Sequence, residues 1–495
     1  MSFRPSPPPP AFACTDPTAS EAAGHTGCLC HRPELAALTA RLDAGLSRRG
    51  FVAGMAASLA ALGLARPARA QGVPAGPQRV LFTNVRLFDG TSSTLRDGVS
   101  LLVEGNRIAG IAAGTPTPPE GARVIDGGGR VLMPGLIDMH WHSIFAALPL
   151  PVMMTAEPGY IFLSAAAEAE RTLMRGFTTI RDLGGPSFPL KQAIDEGLAT
   201  GPRIYPCGAM ITASGGHGDL RPLAELPRAA GTPDRTEQTG GVAIADGEAE
   251  VMMRAREQLM QGASQLKMVG GGGVSSPRSP LDASTFTEGE MRAAVQVASD
   301  WNTYVASHAY APQTIRRSLD AGVTCIEHGH LMDEEIAARM AETGVWLSTQ
   351  PFLGAEDTGP LVGPSHDRAL AIFAATERLY ALVKKHGIKT AFGSDMLFSP
   401  ALARRQGVML THLARWYSGA EALKMATATN AELLALSGPR NPYPGKLGVL
   451  EEGALADMLL VDGNPLEDLS LIADPEAKFR LIMKDGRIHK DTLAG

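Results

Sequence analysis

The sequence predicts an α/β protein: a (β/α)8 TIM barrel with a small composite β-sandwich formed by both ends of the mature chain. Residues 79–126 and 448–486 contain short apolar runs separated by turns such as Asp89-Gly90, a pattern typical of antiparallel sheets. Between these segments, eight short apolar strands alternate with helical periods over about 300 residues, the length of such a barrel with a few insertions.

Residues 1–70 are predicted to be a targeting segment and not part of the fold. Arg48-Arg49 followed by Phe51 resembles a twin-arginine export motif, and Ala68-Arg69-Ala70 has the form of a signal-peptidase site. We therefore expect a twin-arginine signal peptide, a mature chain that begins near Gln71, and a periplasmic or secreted protein. The alternative is a first core helix that ends in an arginine pair.

Composition excludes several classes of function. The 495 residues include 45 basic and 51 acidic side chains, a net charge of -6, without a long basic run, which argues against a nucleic-acid-binding protein. No apolar run reaches the ~20 residues that a membrane span needs. Beyond residue 70 only Cys207 and Cys325 remain, and two distant cysteines do not make a disulfide framework.

The periodicity predicts a β-sandwich segment over 71–133, the barrel over 134–440 and a second sandwich segment over 441–495. The candidate barrel strands are Leu136–His142, Thr178–Leu183, Arg203–Ile211, Gln265–Val269, Tyr304–His308, Cys325–His328, Val345–Gln350 and Thr390–Ser394. Thr287 and Glu290 have the spacing of a capping box at a helix start. The long insertion from Gly215 to Asp246 has little periodicity, and we expect it to be a lid.

Polar side chains with metal-binding chemistry recur at the predicted strand ends. His140 and His142 are two residues apart in a strand, so both imidazoles lie on one face. His308, His328 and Asp395 also close predicted strands, and Lys267 lies inside the apolar strand before Gly270–Gly273. Because buried charge is unfavourable unless it is paired or bound to metal, this set predicts a metal site at the barrel mouth.

The motifs around these residues resemble those of the metal-dependent hydrolases of the amidohydrolase superfamily, over residues 79–490. They are Pro134–His142, Gly176–Asp182, Ser307–Tyr310, Ile326–Gly329 and Gly393–Asp395. The most similar branch contains prolidase-like and Xaa-Arg carboxypeptidase-like enzymes and the ochratoxin-hydrolysing amidohydrolases. In that branch a lysine on strand four, carboxylated by CO2, bridges two zinc ions, and Lys267 occupies this position.

The resemblance implies a role for each residue. His140, His142 and Asp395 would hold one Zn2+, His308 and His328 would hold the second, and carboxylated Lys267 would join them. Bound zinc lowers the pKa of water to ~7 and so supplies hydroxide at neutral pH. Asp395 would accept the proton of this hydroxide and pass it to the leaving amine. His217, in a Gly-Gly-His-Gly segment, would donate a hydrogen bond to the developing oxyanion, and the Tyr310 hydroxyl would bind a substrate carboxylate.

The implied function is that of a binuclear zinc amidohydrolase that uses metal-activated hydroxide. Its substrates would be dipeptides, N-acyl amino acids or ochratoxin-type amides with a free carboxylate, and Arg221, Arg228 and Arg235 of the lid favour such an anion. The alternatives are an imidazolonepropionase-like cyclic amide hydrolase with one metal, and a non-catalytic binding protein on the same scaffold. The expected partners are a small-molecule amide substrate and, in a homo-oligomer, further copies of the chain.

Overall fold

The structure, a computed structural model, describes residues 78–227, 232–276 and 278–493. The predicted signal peptide of residues 1–70 lies outside the described residues, and so does Arg228 of the predicted lid. In the part of the chain that is described, no helix combines the length and the apolar character that crossing a membrane requires.

The strands fall into two groups, an antiparallel set at both ends and a parallel set between them. They are β1 (Arg79–Leu87), β2 (Arg96–Glu104), β3 (Arg107–Ala113), β4 (Arg123–Asp126), β5 (Val131–Pro134), β6 (Leu136–Trp141), β7 (Phe177–Asp182), β8 (Arg203–Pro206), β9 (Met210–Thr212), β10 (Val242–Ile244), β11 (Leu266–Val269), β12 (Val305–Ala309), β13 (Cys325–His328), β14 (Trp346–Thr349), β15 (Thr390–Phe392), β16 (Met458–Val461), β17 (Phe479–Lys484) and β18 (Arg487–Asp491).

Most of the helices connect successive parallel strands. They are α1 (Leu150–Thr155), α2 (Pro158–Met174), α3 (Phe188–Asp195), α4 (Arg235–Gln238), α5 (Glu248–Met260), α6 (Glu288–Asp300), α7 (Pro312–Ala321), α8 (Glu334–Thr343), α9 (Pro364–His386), α10 (Pro400–Ala403), α11 (Gln406–Thr411), α12 (Gly419–Lys424), α13 (Asn430–Ala435) and α14 (Pro475–Lys478). The predicted capping box is present at the start of α6, where the Thr287 side chain accepts from the Glu290 amide.

The two ends of the described chain share one sheet. Its strand order is β18-β17-β16-β5-β1-β2-β3, with β4 paired to β1. The link between the two ends is the antiparallel pair of β5 and β16, in which Leu132 lies opposite Leu460. Alternate side chains, including Val80, Phe82 and Leu481, form one buried cluster. The composite β-rich domain predicted from both ends of the chain is therefore confirmed.

The parallel strands form the barrel, with β6–β9 and β11–β15 in the eight strand positions. The third position differs from the prediction of one strand over Arg203–Ile211, because it is split into β8 and β9. Gly208 lies in the gap with φ of +76°, a left-handed conformation that interrupts a strand and that glycine adopts without strain. The α/β barrel fold class is confirmed.

A buried asparagine closes the barrel between its first and last strands. The Asn430 side-chain amide donates to the Ile137 carbonyl at 2.7 Å and to the Phe392 carbonyl at 2.9 Å. Its oxygen accepts from the Phe392 amide at 3.0 Å. These bonds hold β6 against β15, so residues at the carboxyl ends of the two strands come together.

The insertion from Gly215 to Asp246 is more ordered than the sequence predicts. Its end contains α4, where Asp234 and Glu237 make a capping box, and β10, which extends the barrel sheet by pairing with β9. Leu220, Thr236 and Val242 of this insertion line the cavity at the barrel mouth. The short apolar run Val242–Ile244 is the sequence signal for β10.

Candidate metal centre

One cavity of about 630 Å³ opens at the carboxyl ends of the barrel strands. All eight residues that the sequence singles out line it: His140, His142, His217, Lys267, His308, Tyr310, His328 and Asp395. The location follows from the topology, since the carboxyl ends of all eight parallel strands meet at one face of the barrel.

His140, His142 and Asp395 form the tightest cluster. Their potential ligand atoms lie within 4.8 Å of one another. Asp395 Oδ1 is 3.3 Å from His140 Nε2 and 3.2 Å from His142 Nε2. The Asp395 amide donates to the His140 carbonyl at 2.7 Å, which anchors the residue although its φ of +54° is left-handed. One cation can therefore be shared by two imidazoles and one carboxylate.

His308 and His328 lie beside each other, with ring centroids 4.3 Å apart. His308 Nε2 donates to the Gly272 carbonyl at 3.0 Å, which leaves its Nδ1 as a bare lone pair. His328 Nδ1 is 2.8 Å from Gln350 Oε1, and its Nε2 is buried without a hydrogen-bond partner among the described residues. Metal-binding histidines are held in this way, with one nitrogen fixed and the other free to coordinate.

The Lys267 amine is the most unusual group in the cavity. Its side chain is 2% exposed, and Nζ has no hydrogen-bond partner in the part of the chain that is described. A buried ammonium without a partner is strongly unfavourable, so burial lowers the pKa of Lys267, although the charges of Glu327 and Asp395 oppose that shift. An unpartnered amine beside an unpartnered imidazole fits a divalent metal centre.

Three of the candidate imidazole ligands are in the neutral form that binds metal. Burial lowers the pKa of His140, His308 and His328 well below the ordinary value of histidine. Lys267 lines the same cavity as these three histidines. Neutral imidazoles around a cationic centre are what a metal site requires.

His217 and Tyr310 cover the second histidine pair. The His217 ring stacks on His308 with centroids 4.6 Å apart, and the Tyr310 ring stacks on His328 at 4.6 Å. Burial, followed by the charge of Lys267, lowers the pKa of His217 to about 3, so its imidazole is neutral and has one N–H available as a donor. A Cβ on Gly273 would come within 2.5 Å of the His217 ring, which explains the glycine there.

Sequence reasoning missed Glu327, which precedes His328 on β13. Its carboxylate is fully buried, with Oε1 accepting from Arg181 Nη2 at 2.6 Å and Oε2 lying 2.9 Å from His140 Nδ1. The signal was an acidic residue inside the apolar strand Cys325–His328. Glu327 therefore places a negative charge at His140 Nδ1, while Nε2 of the same ring faces Asp395.

Asp138 was also missed, and it fixes the backbone on which two candidate ligands lie. Its Oδ1 accepts from the His140 amide and from the Ser394 amide, both at 3.0 Å. Its Oδ2 accepts from the Ser394 hydroxyl at 2.5 Å and from Gln406 at 2.9 Å. A single buried carboxylate thus couples the strand of His140 to the segment of Asp395.

Two of the lid arginines, Arg221 and Arg235, do not have the role that the sequence suggested. Arg221 Nη2 pairs with Asp219 Oδ2 at 2.6 Å, and the Arg235 guanidinium contacts the Ala156 carbonyl. Neither residue lines the cavity. The expectation that they attract an anionic substrate is corrected, because Arg221 is neutralised by a neighbour within its own loop.

Comparison with known proteins identifies the class. A family model described as the amidohydrolase family matches residues 131–495, so the chain belongs to this family and is a hydrolase that acts on amide bonds. The chain is 29% identical to ochratoxinase from Aspergillus niger over 428 residues, which cover 82% of this chain and 85% of that protein.

Solved structures agree with this assignment. A crystal structure of an amidohydrolase is 34% identical, with a TM-score of 0.76, and covers 84% of this chain and 100% of its own. A prolidase in complex with N-methylphosphonate-L-proline is 31% identical, with a TM-score of 0.77 and the same coverage. The resemblance inferred from the sequence motifs is thereby confirmed.

Replacing Glu327 by Gln tests its influence on His140. We expect metal affinity to fall about 10- to 100-fold, because the amide removes the negative charge beside His140. The measurement is a zinc titration against a competing chelator, together with metal content after dialysis. Glu168→Gln is the matched control, since Glu168 is equally buried and pairs with Arg175 at 2.8 Å outside the cavity. Unchanged zinc affinity in Glu327→Gln would show that Glu327 does not support the site.

Proposed function

We propose that this amidohydrolase is a binuclear zinc enzyme that hydrolyses an amide bond next to a free carboxylate. Its substrate class is dipeptides, N-acyl amino acids or ochratoxin-type amides. The observation that carries the proposal is the group of bare nitrogens at one cavity, namely His328 Nε2, His308 Nδ1 and Lys267 Nζ beside the cluster of His140, His142 and Asp395.

The residues divide into two sets of metal ligands. His140, His142 and Asp395 would hold one zinc, and His308 and His328 would hold the other. Lys267 would join them after its neutral amine adds to CO2: a nitrogen–carbon bond forms, one C=O π bond opens to a carboxylate oxygen, and one proton leaves. When bound, zinc lowers the pKa of water to about 7 and polarises the scissile carbonyl.

The remaining steps belong to side chains of the chain itself. The Asp395 carboxylate accepts a proton from the attacking water and delivers it to the leaving amine nitrogen, as a general base and then a general acid. Neutral His217 donates a hydrogen bond to the carbonyl oxygen as negative charge develops there. The Tyr310 hydroxyl, protonated because burial raises its pKa, donates to the substrate carboxylate.

Lys267→Ala tests the proposed bridge. We expect activity to be lost and metal content to fall from about two zinc ions per chain, because no other described side chain can replace the carbamate between the two histidine sets. Metal analysis and an amidase assay measure both effects, and bicarbonate with a short-chain acid should restore part of the activity. Two metals and full activity in the variant would refute the bridge. In the wild-type protein, one zinc ion per chain would favour the imidazolonepropionase-like alternative. No bound zinc in the wild-type protein would favour the non-catalytic binding protein.

Recognition of a carboxylate is tested with pairs of substrates. Two divalent metals carry more positive charge than Asp395 and a carbamate neutralise, so an anion close to them is favoured. We expect each free-acid amide to be cleaved with at least about tenfold higher kcat/KM than its C-terminal amide. A hydrogen bond to a charged group contributes about this factor to binding. Tyr310→Phe should reduce this preference with metal content unchanged. Equal rates for acids and neutral amides would eliminate carboxylate recognition.

We also propose that the mature protein is exported through the twin-arginine route, on the sequence pattern of Arg48-Arg49 and Ala68-Arg69-Ala70. Replacing both arginines by Lys should retain the protein in the cytoplasm, and N-terminal sequencing of exported material should begin near Gln71. Export that survives the double replacement, with residue 1 still present, would contradict the proposal.

A further inference from the structure

The candidate metal ligands occupy only part of the cavity, and much of the remaining wall is apolar. The part of this apolar lining that lies next to the first ligand cluster, called the apolar wall, contains Phe145, Met153, Met154, Leu397 and Phe398, which come from the segment after β6, from α1 and from the segment after β15. It adjoins the first ligand cluster, because the Phe145 ring stacks on His142 with centroids 5.8 Å apart. A group bound there would lie beside the reacting bond.

Phe398, one of the residues of the apolar wall, has a strained backbone conformation. Its φ of +56° is left-handed, which is rare and strained for a bulky residue. The conformation is fixed by its amide, which donates to the Phe145 carbonyl at 2.7 Å, and its ring lies 5.5 Å from the Phe145 ring. The ring remains partly exposed, whereas Met396 beside it is 1% exposed. Strain that keeps an aromatic ring at a cavity points to a contact with a ligand.

The methionines on α1 have the same character. None of the residues of this helix is buried, and Met153 and Met154 line the cavity. Methionine is flexible and polarizable, so it fits apolar ligands of varied shape. When an apolar group covers apolar surface that faces water in the free protein, the free energy of binding becomes more favourable.

The described residues that line the cavity offer no unpaired acidic side chain to a group bound at the apolar wall. Besides Asp395, the only acidic side chain that lines it in the described part of the chain is Asp357. Asp357 is already neutralised by Arg405, at 2.8 Å, and lies 3.5 Å from His412. The polar donors His217 and Tyr310 lie with the second histidine pair, and the apolar wall lies beside His142.

We propose that the apolar wall binds the acyl half of the amide, and that this acyl group is aromatic or a large aliphatic chain. This inference rests on the proposed function, in which His217 and Tyr310 receive the carbonyl oxygen and the carboxylate of the amine half. With the carboxylate bound beside His308 and His328, the acyl substituent extends across the first ligand cluster to Phe145 and Phe398.

Two substrate series test the inference. In the first the amine half is glycine and the acyl group is acetyl, hexanoyl or phenylacetyl; in the second the acyl group is acetyl and the amine half is glycine, leucine or phenylalanine. We expect kcat/KM to rise on the order of 100-fold from acetyl to phenylacetyl, since the transfer of a phenyl group from water into an apolar pocket is worth roughly that factor. The second series should vary less than tenfold. Selectivity that follows the amine half would overturn the inference.

Substitutions in the apolar wall test whether it causes the preference for the phenylacetyl substrate. Phe398→Gly removes the ring and suits the left-handed backbone, and Met154→Ala shortens the opposite element without a change of backbone. Each should lower the ratio of kcat/KM for the phenylacetyl substrate to that for the acetyl substrate about tenfold. Phe162→Ala is the control, because Phe162 packs on the same core cluster but does not line the cavity. An unchanged preference in both wall variants would contradict the inference.

Binding separates this inference from the proposed function. If none of the amides is cleaved, the proposed function fails, and calorimetry on the wild-type protein then compares N-phenylacetylglycine with N-acetylglycine directly. Tighter binding of the phenylacetyl compound that is lost in Phe398→Gly supports the apolar wall. Equal binding of the two compounds overturns it.

Discussion

The site depends on one constraint: the Lys267 amine is buried in the barrel mouth without a hydrogen-bond partner among the described residues. Burial favours the neutral amine, and a neutral amine is the form that can react with CO2 or contact a metal centre. The arrangement around it follows from the same constraint. His308 and His328 each have one nitrogen fixed by an outer partner, Gly272 or Gln350, so that the other nitrogen faces the cavity.

The scaffold supplies this arrangement through a small number of buried polar groups. Asp138 and Asn430 tie the first barrel strand to the last, and Glu327 connects His140 to the buried guanidinium of Arg181. His328 and Asp395 have left-handed backbones, so the strand ends turn sharply where they deliver ligands. Positions of such strain concentrate at functional sites, and here they coincide with candidate ligands.

The strand ends and the residues at the cavity could be predicted because strand period and residue chemistry are local properties. His140 and His142, Lys267 and Asp395 each occur next to an apolar run that is visible in the sequence. The partners of these residues could not be predicted, because Glu327 meets His140 only after two distant strands become neighbours. The misjudged lid arginine has a different origin: Asp219 is only two residues from Arg221, but the sequence does not show that the two side chains pair with each other instead of facing the cavity.

The most direct test of the central claim is carbon-13 NMR of the zinc-loaded protein in labelled bicarbonate. A carboxylated Lys267 predicts one carbamate carbon resonance in the wild-type protein that is absent from Lys267→Ala. Removing the metals with a chelator should also remove the signal, because the carbamate is then lost. A wild-type protein that binds two zinc ions and shows no carbamate carbon would contradict the claim that the buried amine joins the two ligand sets.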